Sequence, residues 1–169
     1  MRFAALLCAA FALPGCGLQP MYAGGADAAV AQGMAGIDVP AIPGRGGWLV
    51  RNALQERFGA AGDAPTRYRL DVRLDDSLEA LGVLNDDTIS RERRILRSRY
   101  QLVDMQSGEI LLDATAGADA GIDVVSSEYA TIAAEQKALE NLAREIADRM
   151  ATRIALTLRE GEKAAREAE

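Results

Sequence analysis

The sequence predicts an α+β fold, a two-layer sandwich in which two helices pack on one face of a four-stranded, mostly antiparallel sheet (β-α-β-β-β-α). Two observations predict it. Three long segments in the middle of the chain alternate apolar and charged residues, as half-buried strands do, and two other segments repeat apolar residues at helical spacing. Because two helices can cover only one face of such a sheet, we expect the other face to lack cover from this chain.

Composition limits both the size of the protein and its chemistry. A chain of 169 residues, 49% hydrophobic and 26% charged, is long enough for one domain and a leader. The net charge of -6 argues against broad nucleic-acid binding, so we expect no nucleic-acid partner. The sequence contains no histidine, which excludes an imidazole base and a His-ligated zinc site. We therefore expect no enzymatic activity, no metal and no cofactor.

Residues 1–15 have the features of a bacterial lipoprotein signal peptide. Arg2 precedes the apolar run Phe3–Leu13, which is shorter than the roughly 20 residues of a membrane span. The end of this run, Leu13-Pro14-Gly15-Cys16, resembles the lipobox. The resemblance implies that residues 1–15 are removed and that the Cys16 thiol is linked to diacylglycerol. The alternative is that Cys16 is an ordinary cysteine near a secretory cleavage site.

A lipidated Cys16 has consequences for thiol chemistry and for location. Cys8 would leave with the leader, so the mature protein would have no free thiol and no disulfide. Gly17 follows the cysteine, where an Asp would resemble an inner-membrane retention signal, so we expect an outer-membrane lipid anchor. Residues 16–35 are predicted to be the lipidated N-terminus and a Gly- and Ala-rich tether. Within them, Leu18–Tyr22 is apolar enough to lie against a partner or against the domain itself.

Residues 36–160 are predicted to form a single α+β domain that begins with a strand and a helix. Residues 36–43 alternate apolar with small or polar residues, and their two prolines confine them to a sheet edge. Residues 46–59 place apolar side chains on one face of a helix, which Gly59 and Gly62 end.

Three long strands are predicted next. Residues 66–76 alternate apolar and charged side chains, and residues 77–87 continue this strand or form a loop with a turn at 85–87. Residues 88–104 form the second strand, with an inward set of Leu96, Ser98, Tyr100 and Leu102. After a turn at 105–108, the third strand starts at Glu109 and faces the core with Ile110, Leu112 and Ala114.

The last predicted element is the longest helix, from about Ser127 to Arg159. Ser126 or Ser127 can cap it. Its apolar residues recur at helical spacing: Ile132, Leu139, Leu142, Ala143, Ile146, Met150, Ile154 and Leu158. Residues 161–169 carry many charges and no large apolar side chain, so we expect a charged, flexible tail.

The predicted open sheet face carries a row of arginines. Arg91, Arg93, Arg97 and Arg99 alternate with the inward set of their strand, and Arg67, Arg69 and Arg73 alternate in the strand before it. Guanidinium groups bind phosphate and carboxylate with two parallel hydrogen bonds, so a phosphorylated lipid head group or an acidic protein surface is a plausible ligand. The alternative is that these arginines are solvated and paired with local acids.

Two other features have simpler interpretations. Asp75, Asp76, Asp86 and Asp87 do not have the spacing of a calcium loop, and we expect them to be solvated turn residues. Trp48, at the start of the first helix, is expected to anchor the core or an interface rather than stack on a ligand.

The stretch CGLQPMY at the lipobox, together with the predicted order of elements, resembles the start and the mature chain of the LptE family of lipopolysaccharide-assembly lipoproteins. The resemblance implies a subunit of the outer-membrane translocon that plugs the lumen of the β-barrel LptD, helps assemble it and binds lipopolysaccharide. It also implies a lipid-anchored location at the outer membrane, on the periplasmic side or in the barrel lumen. The candidate lipopolysaccharide-binding residues are Arg91, Arg93, Arg94, Arg97 and Arg99.

Two alternatives to this function remain open from the sequence. One is another envelope lipoprotein adaptor, such as an auxiliary subunit of a lipid-transporting ABC system, with the same anchor and a similar sandwich. The other is a lipoprotein enzyme that uses carboxylates, although no catalytic motif is recognisable in the sequence.

Overall fold

The computed structural model describes residues 26–60, 62, 64–83 and 89–168. Residues 1–15, Cys16, the segment Leu18–Tyr22 and the predicted turn at 85–87 lie outside these ranges. The described residues form three helices and a four-stranded mixed sheet, which confirms the predicted fold class and adds one helix. The elements are, in order, α1 (Ala26–Ala35), β1 (Ile37–Asp38), α2 (Gly44–Gly59), β2 (Tyr68–Val83), β3 (Ile89–Asp104), β4 (Ile110–Asp123) and α3 (Glu128–Glu167).

The sheet has the strand order β1-β2-β3-β4, and only its first pair is parallel. The connection from β1 to β2 passes through helix α2, as parallel neighbours require. The edge strand predicted for residues 36–43 shortens to Ile37–Asp38, because Pro40 and Pro43 lack the N–H donors that would extend the ladder. Val39 and Ile42 still bury their side chains in the core.

Strands β2, β3 and β4 form a long antiparallel meander. Strand β2 continues to Val83, so described residues 77–83 are strand rather than loop. Leu70 pairs with Leu102, and Tyr100 pairs with Ala114, so that apolar residues of the three strands share one face. Between β3 and β4, the Asp104 carboxylate accepts hydrogen bonds from the backbone N–H groups of the predicted turn.

The three helices lie on a single face of the sheet, where they enclose the core. Helix α3 packs against β3 and β4, and α2 packs against α3 and β2. The buried stripe of α3 consists of the predicted residues with Ala138, Ala147 and Ala151 added and Ile132 removed. Ile132 is exposed and precedes the buried stripe, which starts at Ala138. Ile110 is also exposed, since the β3–β4 register shifts between Leu102 and Val103.

Helix α1 corrects the prediction of a tether through residue 35. Val30 and Met34 are one turn apart on α1 and are both buried, and α1 packs against α3. A Cβ at Gly33 would lie 3.2 Å from Leu158 Cδ1, so the two helices approach closely at this glycine. Residues 26–35 therefore belong to the domain, and the sequence pattern missed them because only two large apolar side chains carry the contact.

The C-terminal end also differs from its prediction. Helix α3 runs through 40 residues to Glu167, so residues 161–167, which we expected to be part of a flexible tail, are helical. Ion pairs Glu162–Arg166 and Lys163–Glu167, each spaced by four residues, support these turns. Leu158 is the last buried residue of α3. Of the helices within the described ranges, none combines the length and the apolar character needed to cross a membrane.

Candidate functional site

The face of the sheet opposite the helices is the candidate site. Side chains alternate between the two faces of a strand, and the odd-numbered residues of β3 point away from the helical layer. This face therefore carries Arg91, Arg93, Arg97 and Arg99, as the sequence predicted. No described element covers these side chains, which are all exposed.

The charges on this open face balance and are ordered by strand. The middle strand β3 contributes arginines, and the flanking strands β2 and β4 contribute mostly carboxylates. The six arginines are Arg69, Arg73, Arg91, Arg93, Arg97 and Arg99, and the six acids are Asp71, Asp75, Glu79, Asp113, Asp119 and Asp123. The site is thus a positive row on β3 between a row of mixed charge on β2 and a negative row on β4, rather than a uniformly basic patch.

Strand β4 supplies acids that our sequence reasoning did not use. Asp123 lies 3.2 Å from Arg91, and Asp119 lies 3.5 Å from Arg93. The signal was present in the sequence, because Asp113, Asp119 and Asp123 all have the odd parity that points to the open face. The structure thus adds three carboxylates of β4 to Asp71 and Asp75 of β2.

Arg99 makes the most complete ion pair of the open face. Its Nε and Nη2 donate to the two carboxylate oxygens of Asp113 at 3.1 and 2.9 Å, and Gln101 donates to the same carboxylate at 2.8 Å. The hydrogen bond from Arg99, followed by that from Gln101, lowers the pKa of Asp113 to about 2. The pair is therefore ionised throughout the physiological pH range.

Arg73 and Arg97 differ from the other open-face arginines, because neither makes an ion pair within 4 Å with any residue that the structure describes. Both line a shallow depression of about 550 Å³ together with Arg99. Gly117 of β4 lies opposite Arg97 and has no side chain to cover it. A Cβ at this position would lie 3.4 Å from Arg97 Cγ. Three guanidinium groups and the Asp75 carboxylate thus line one depression, and two of the three arginines make no ion pair with a described residue.

A second cavity of about 490 Å³ adjoins the first at the β2 edge. It shares Arg73 and Arg99 with the depression and adds Asp71, Gln101 and residues 40–42. Strand β1 ends at Asp38, so the β2 edge beside this cavity has no strand neighbour. The two hollows share Arg73 and Arg99 and together form a continuous surface of mixed polar and apolar character over the centre of the sheet.

Arg94 lies on the other face. Its Nε and Nη2 donate to Asp76 at 2.9 and 2.7 Å, and its Nη1 donates to the Glu135 carbonyl of α3 at 3.3 Å. The hydrogen bond to Asp76 raises the pKa of Arg94. The structure therefore splits the five predicted arginines: four lie on the open face, and Arg94 joins the β2–β3 hairpin to the helical layer.

The remaining sequence candidates do not assemble a second site. Asp75 and Asp76 lie within strand β2 and not in a turn, which corrects the prediction: Asp75 is on the open face opposite Arg97, and Asp76 accepts the hydrogen bonds of Arg94. Asp86 and Asp87 lie outside the described residues. Among the residues that the structure describes, no three His, Cys, Asp or Glu side chains are grouped to hold a metal ion. Trp48 is 60% exposed and is not part of the core.

Together, the helical layer and the open, charged sheet face define a two-layer α+β domain with one sheet face that no described element covers. The lipopolysaccharide-assembly family model LptE matches residues 34–154. The chain therefore belongs to the LptE family, a family of non-catalytic lipoproteins of lipopolysaccharide assembly, and the resemblance noted from its sequence is confirmed.

Two solved structures share the fold. A protein assigned as a lipoprotein from Caulobacter crescentus CB15 superposes with a TM-score of 0.66 at 27% identity, over 79% of this chain and 98% of its own. Lipoprotein B from Nitrosomonas europaea superposes with a TM-score of 0.54 at 11% identity, over 70% of this chain and 79% of its own. A search of curated protein sequences found no significant match.

Proposed function

We propose that this lipopolysaccharide-assembly lipoprotein is the outer-membrane subunit that plugs the lumen of the β-barrel LptD, helps assemble that barrel and binds lipopolysaccharide for delivery to the cell surface. In this proposal residues 1–15 are removed as a signal peptide, and Cys16 carries the lipid anchor. The domain works without enzymatic activity, cofactor or nucleic-acid partner. Membership of the LptE family supports a role in lipopolysaccharide assembly. The open sheet face supports the proposed contacts with the barrel and with lipopolysaccharide.

The single observation that carries the proposal is the row of arginines on β3, flanked by a mixed row on β2 and a row of acids on β4, on an uncovered sheet face. The lumen of a large outer-membrane barrel is polar, so a plug needs an exposed polar surface of mixed charge rather than an apolar one. A balanced face of six arginines and six acids meets that need, because each charge can find a partner of opposite sign on the barrel wall.

The depression lined by Arg73, Arg97 and Arg99 is the proposed site for the lipopolysaccharide phosphates. Guanidinium groups bind phosphate oxygens with paired, charge-assisted hydrogen bonds. Arg73 and Arg97 have no described carboxylate within 4 Å, so they can bind a phosphate without first breaking an ion pair. Arg91 and Arg93 extend the same row, while Arg94 is engaged with Asp76 and α3 and is left out of the proposed contact set.

Copurification from the native envelope tests the barrel contact. A tagged full chain is expected to recover one large outer-membrane barrel protein in a constant ratio. The variant Arg97→Glu with Arg99→Glu should recover less of it, because two charges of the open face are reversed. The matched control, Arg144→Glu with Arg153→Glu, reverses two charges on exposed positions of α3. Recovery of no barrel protein contradicts the plug, and recovery of an ABC transporter instead favours the adaptor alternative.

Direct binding of lipopolysaccharide tests the phosphate site separately. The variant Arg73→Gln with Arg97→Gln is expected to weaken binding about tenfold or more, since a hydrogen bond to a charged group contributes roughly 1.5–3 kcal/mol. Lipopolysaccharide stripped of its lipid A phosphates should bind both forms equally weakly. An equal loss of lipopolysaccharide binding in the control Arg144→Gln with Arg153→Gln would show that only overall charge matters and would contradict the proposed phosphate site.

A further inference from the structure

The helical layer contains an apolar groove that no described part of the chain fills. It lies between α1, the end of α2 and the second half of α3, and has a volume of about 330 Å³. Val30 and Met34 of α1 form one wall, and Ala151, Ala155 and Leu156 of α3 form the floor and the other wall. Leu156 is 46% exposed although it borders these apolar side chains. The groove is thus an apolar surface that is open to solvent in the described domain.

The rim of the groove carries three charged side chains, Arg57, Asp148 and Arg159. Arg57 Nε donates to Asp148 Oδ1 at 2.5 Å, and Arg57 also donates to the Ala53 carbonyl. An occupant that matches this surface needs an apolar body and a polar group that can lie at the rim, the combination that a tyrosine offers. The volume is at the lower end of the range for small-molecule pockets, so it suits two or three side chains rather than a lipid with several acyl chains.

The chain itself provides an occupant of this chemistry directly before α1. Residues 17–25 read GLQPMYAGG and contain no charged side chain, so their burial would desolvate no ion. Leu18, Met21 and Tyr22 are the large apolar residues, and Pro20 favours an extended backbone around it. Gly24 and Gly25 separate them from Ala26 and allow the chain to reverse direction there.

The distances permit this contact. Val30 lies about 6 Å along the axis of α1 from Ala26, and Met34 lies about 12 Å from it, at 1.5 Å per residue. Residues 23–25 span up to about 10 Å when extended. A chain that reverses at the two glycines therefore brings Tyr22 level with Val30 and Met21 close to Met34.

We propose that Leu18–Tyr22 folds back along α1 and packs into the groove between the three helices. The segment then covers Leu156 and the alanine floor, and the Tyr22 hydroxyl lies towards the Arg57–Asp148 pair. The packing does not depend on lipidation. If Cys16 is lipidated as proposed above, Gly17 becomes the only free residue between anchor and domain. The domain would then be held within about 7 Å of the membrane instead of on a tether of the nine residues 17–25.

Disulfide trapping in the envelope tests the packing with the full chain. Gln19→Cys, which leaves the apolar residues intact, is combined in separate variants with Thr152→Cys and with Leu156→Cys, which line the groove. Thiols are counted by maleimide-polyethylene glycol labelling after acid quench, and single-cysteine variants calibrate any label on Cys16. At least one groove pair is expected to be mostly protected. The control pair, Gln19→Cys with Thr115→Cys on the open sheet face, should stay labelled.

Two results would overturn the proposal. If both groove pairs label as fully as the control pair, the segment does not lie in the groove. If the disulfides join two chains, a second copy is the occupant. These outcomes are independent of barrel copurification, so the packing can fail while the proposed function stands.

A thermal double-mutant cycle gives a second readout. Met21→Ser and Leu156→Ser are each expected to lower Tm by about 2–4 °C, and the double variant should lower it no further than the larger single effect, because both remove the same contact. Met21→Ser combined with Ile132→Ser, outside the groove, should show additive shifts. Additive shifts for the groove pair would contradict the contact.

Discussion

Arg99 lies opposite Arg73 across the β2–β3 ladder, and like charges in directly opposite positions destabilise a strand pair. Asp113 of β4 offsets this repulsion by accepting two hydrogen bonds from Arg99 and one from Gln101. The same bonds raise the pKa of Arg99 and lower that of Asp113. Asp113 on β4 thus offsets the repulsion between Arg99 of β3 and Arg73 of β2.

We predict that Arg99→Gln raises the pKa of Asp113 from about 2 towards the value of an unpaired carboxyl, about 3.9. A carboxyl pKa that is lower in the folded than in the unfolded chain stabilises the fold above about pH 4, and this stabilisation is lost as the pH falls through about 2. Carboxyl-carbon NMR titration measures the change. Arg144→Gln, on the helical layer, should leave the Asp113 titration in place, and an unchanged Asp113 in Arg99→Gln would contradict the assignment.

Arg94 is expected to matter for stability rather than for binding. Its side chain is 18% exposed and that of Asp76 is 28% exposed, so solvent screens this bidentate pair less than the open-face pairs. Arg94→Met should lower the free energy of unfolding in urea by about 1–2 kcal/mol, because it leaves Asp76 and the Glu135 carbonyl without their donor. Arg91→Met breaks a pair whose side chains are 63% and 77% exposed, and should cost less than about 0.5 kcal/mol. Equal losses in the two variants would contradict this distinction.

At the scale of elements, the connection from β1 to α2 depends on a close backbone approach. A Cβ at Gly47 would lie 2.4 Å from the Ile42 carbonyl oxygen and 2.7 Å from its carbon, both of which belong to the backbone. Helix α2 can therefore start at Gly44 and still pack Val50, Ala53 and Leu54 into the core only while residue 47 has no side chain.

Gly47→Ala is accordingly expected to destabilise the fold by about 1–3 kcal/mol, the usual range for an overpacked position. Gly59→Ala provides the matched control in the same helix, because a Cβ there would meet nothing within 4 Å. That control should be neutral or stabilise by up to about 1 kcal/mol, since alanine restricts the unfolded chain more than glycine does. Chemical denaturation of both variants measures the difference, and a tolerated Gly47→Ala would rule out the close approach.

At the scale of the whole molecule, one face of the sheet forms the core with the helices, and the other face is the proposed binding surface. All three helices cover one face of the sheet, so the core lies between them and the even-numbered residues of β3. The opposite face stays open and keeps its ordered charges. Because the two layers use different residues, substitutions on the open face should change binding without unfolding the domain.

The C-terminal boundary of the domain follows from the same core. Removal of residues 161–169 should shorten α3 by seven residues and lower the far-UV helical signal, yet cost less than about 1 kcal/mol, because Leu158 is the last buried residue of α3. Removal of residues 154–169 also deletes Ile154 and Leu158 and should cost several kcal/mol or prevent folding. Circular dichroism with urea titration compares the two truncations. Similar losses would mean that the last turns contribute to the core.

The sequence by itself determined the α+β class, the three long strands and the residues that face outward on β3. These features depend on local periodicity: a two-residue repeat assigns Arg91, Arg93, Arg97 and Arg99 to one face whatever the strand pairs with. Ser127 was also predictable as the cap of α3, because capping needs only its side chain and a nearby backbone N–H. The family was also visible in the short stretch CGLQPMY.

Only the tertiary structure determined which side chains and elements contact one another. Helix α1 is held by Val30 and Met34 against α3, a contact that no periodicity within residues 26–35 displays. The β4 register brought Asp113 to Arg99, and a shift in that register exposed Ile110. The β2–β3 register brought Arg94 to Asp76, 18 residues away. Side-chain direction is a local property of the backbone, whereas partners are chosen by the packing of segments that are distant in the chain.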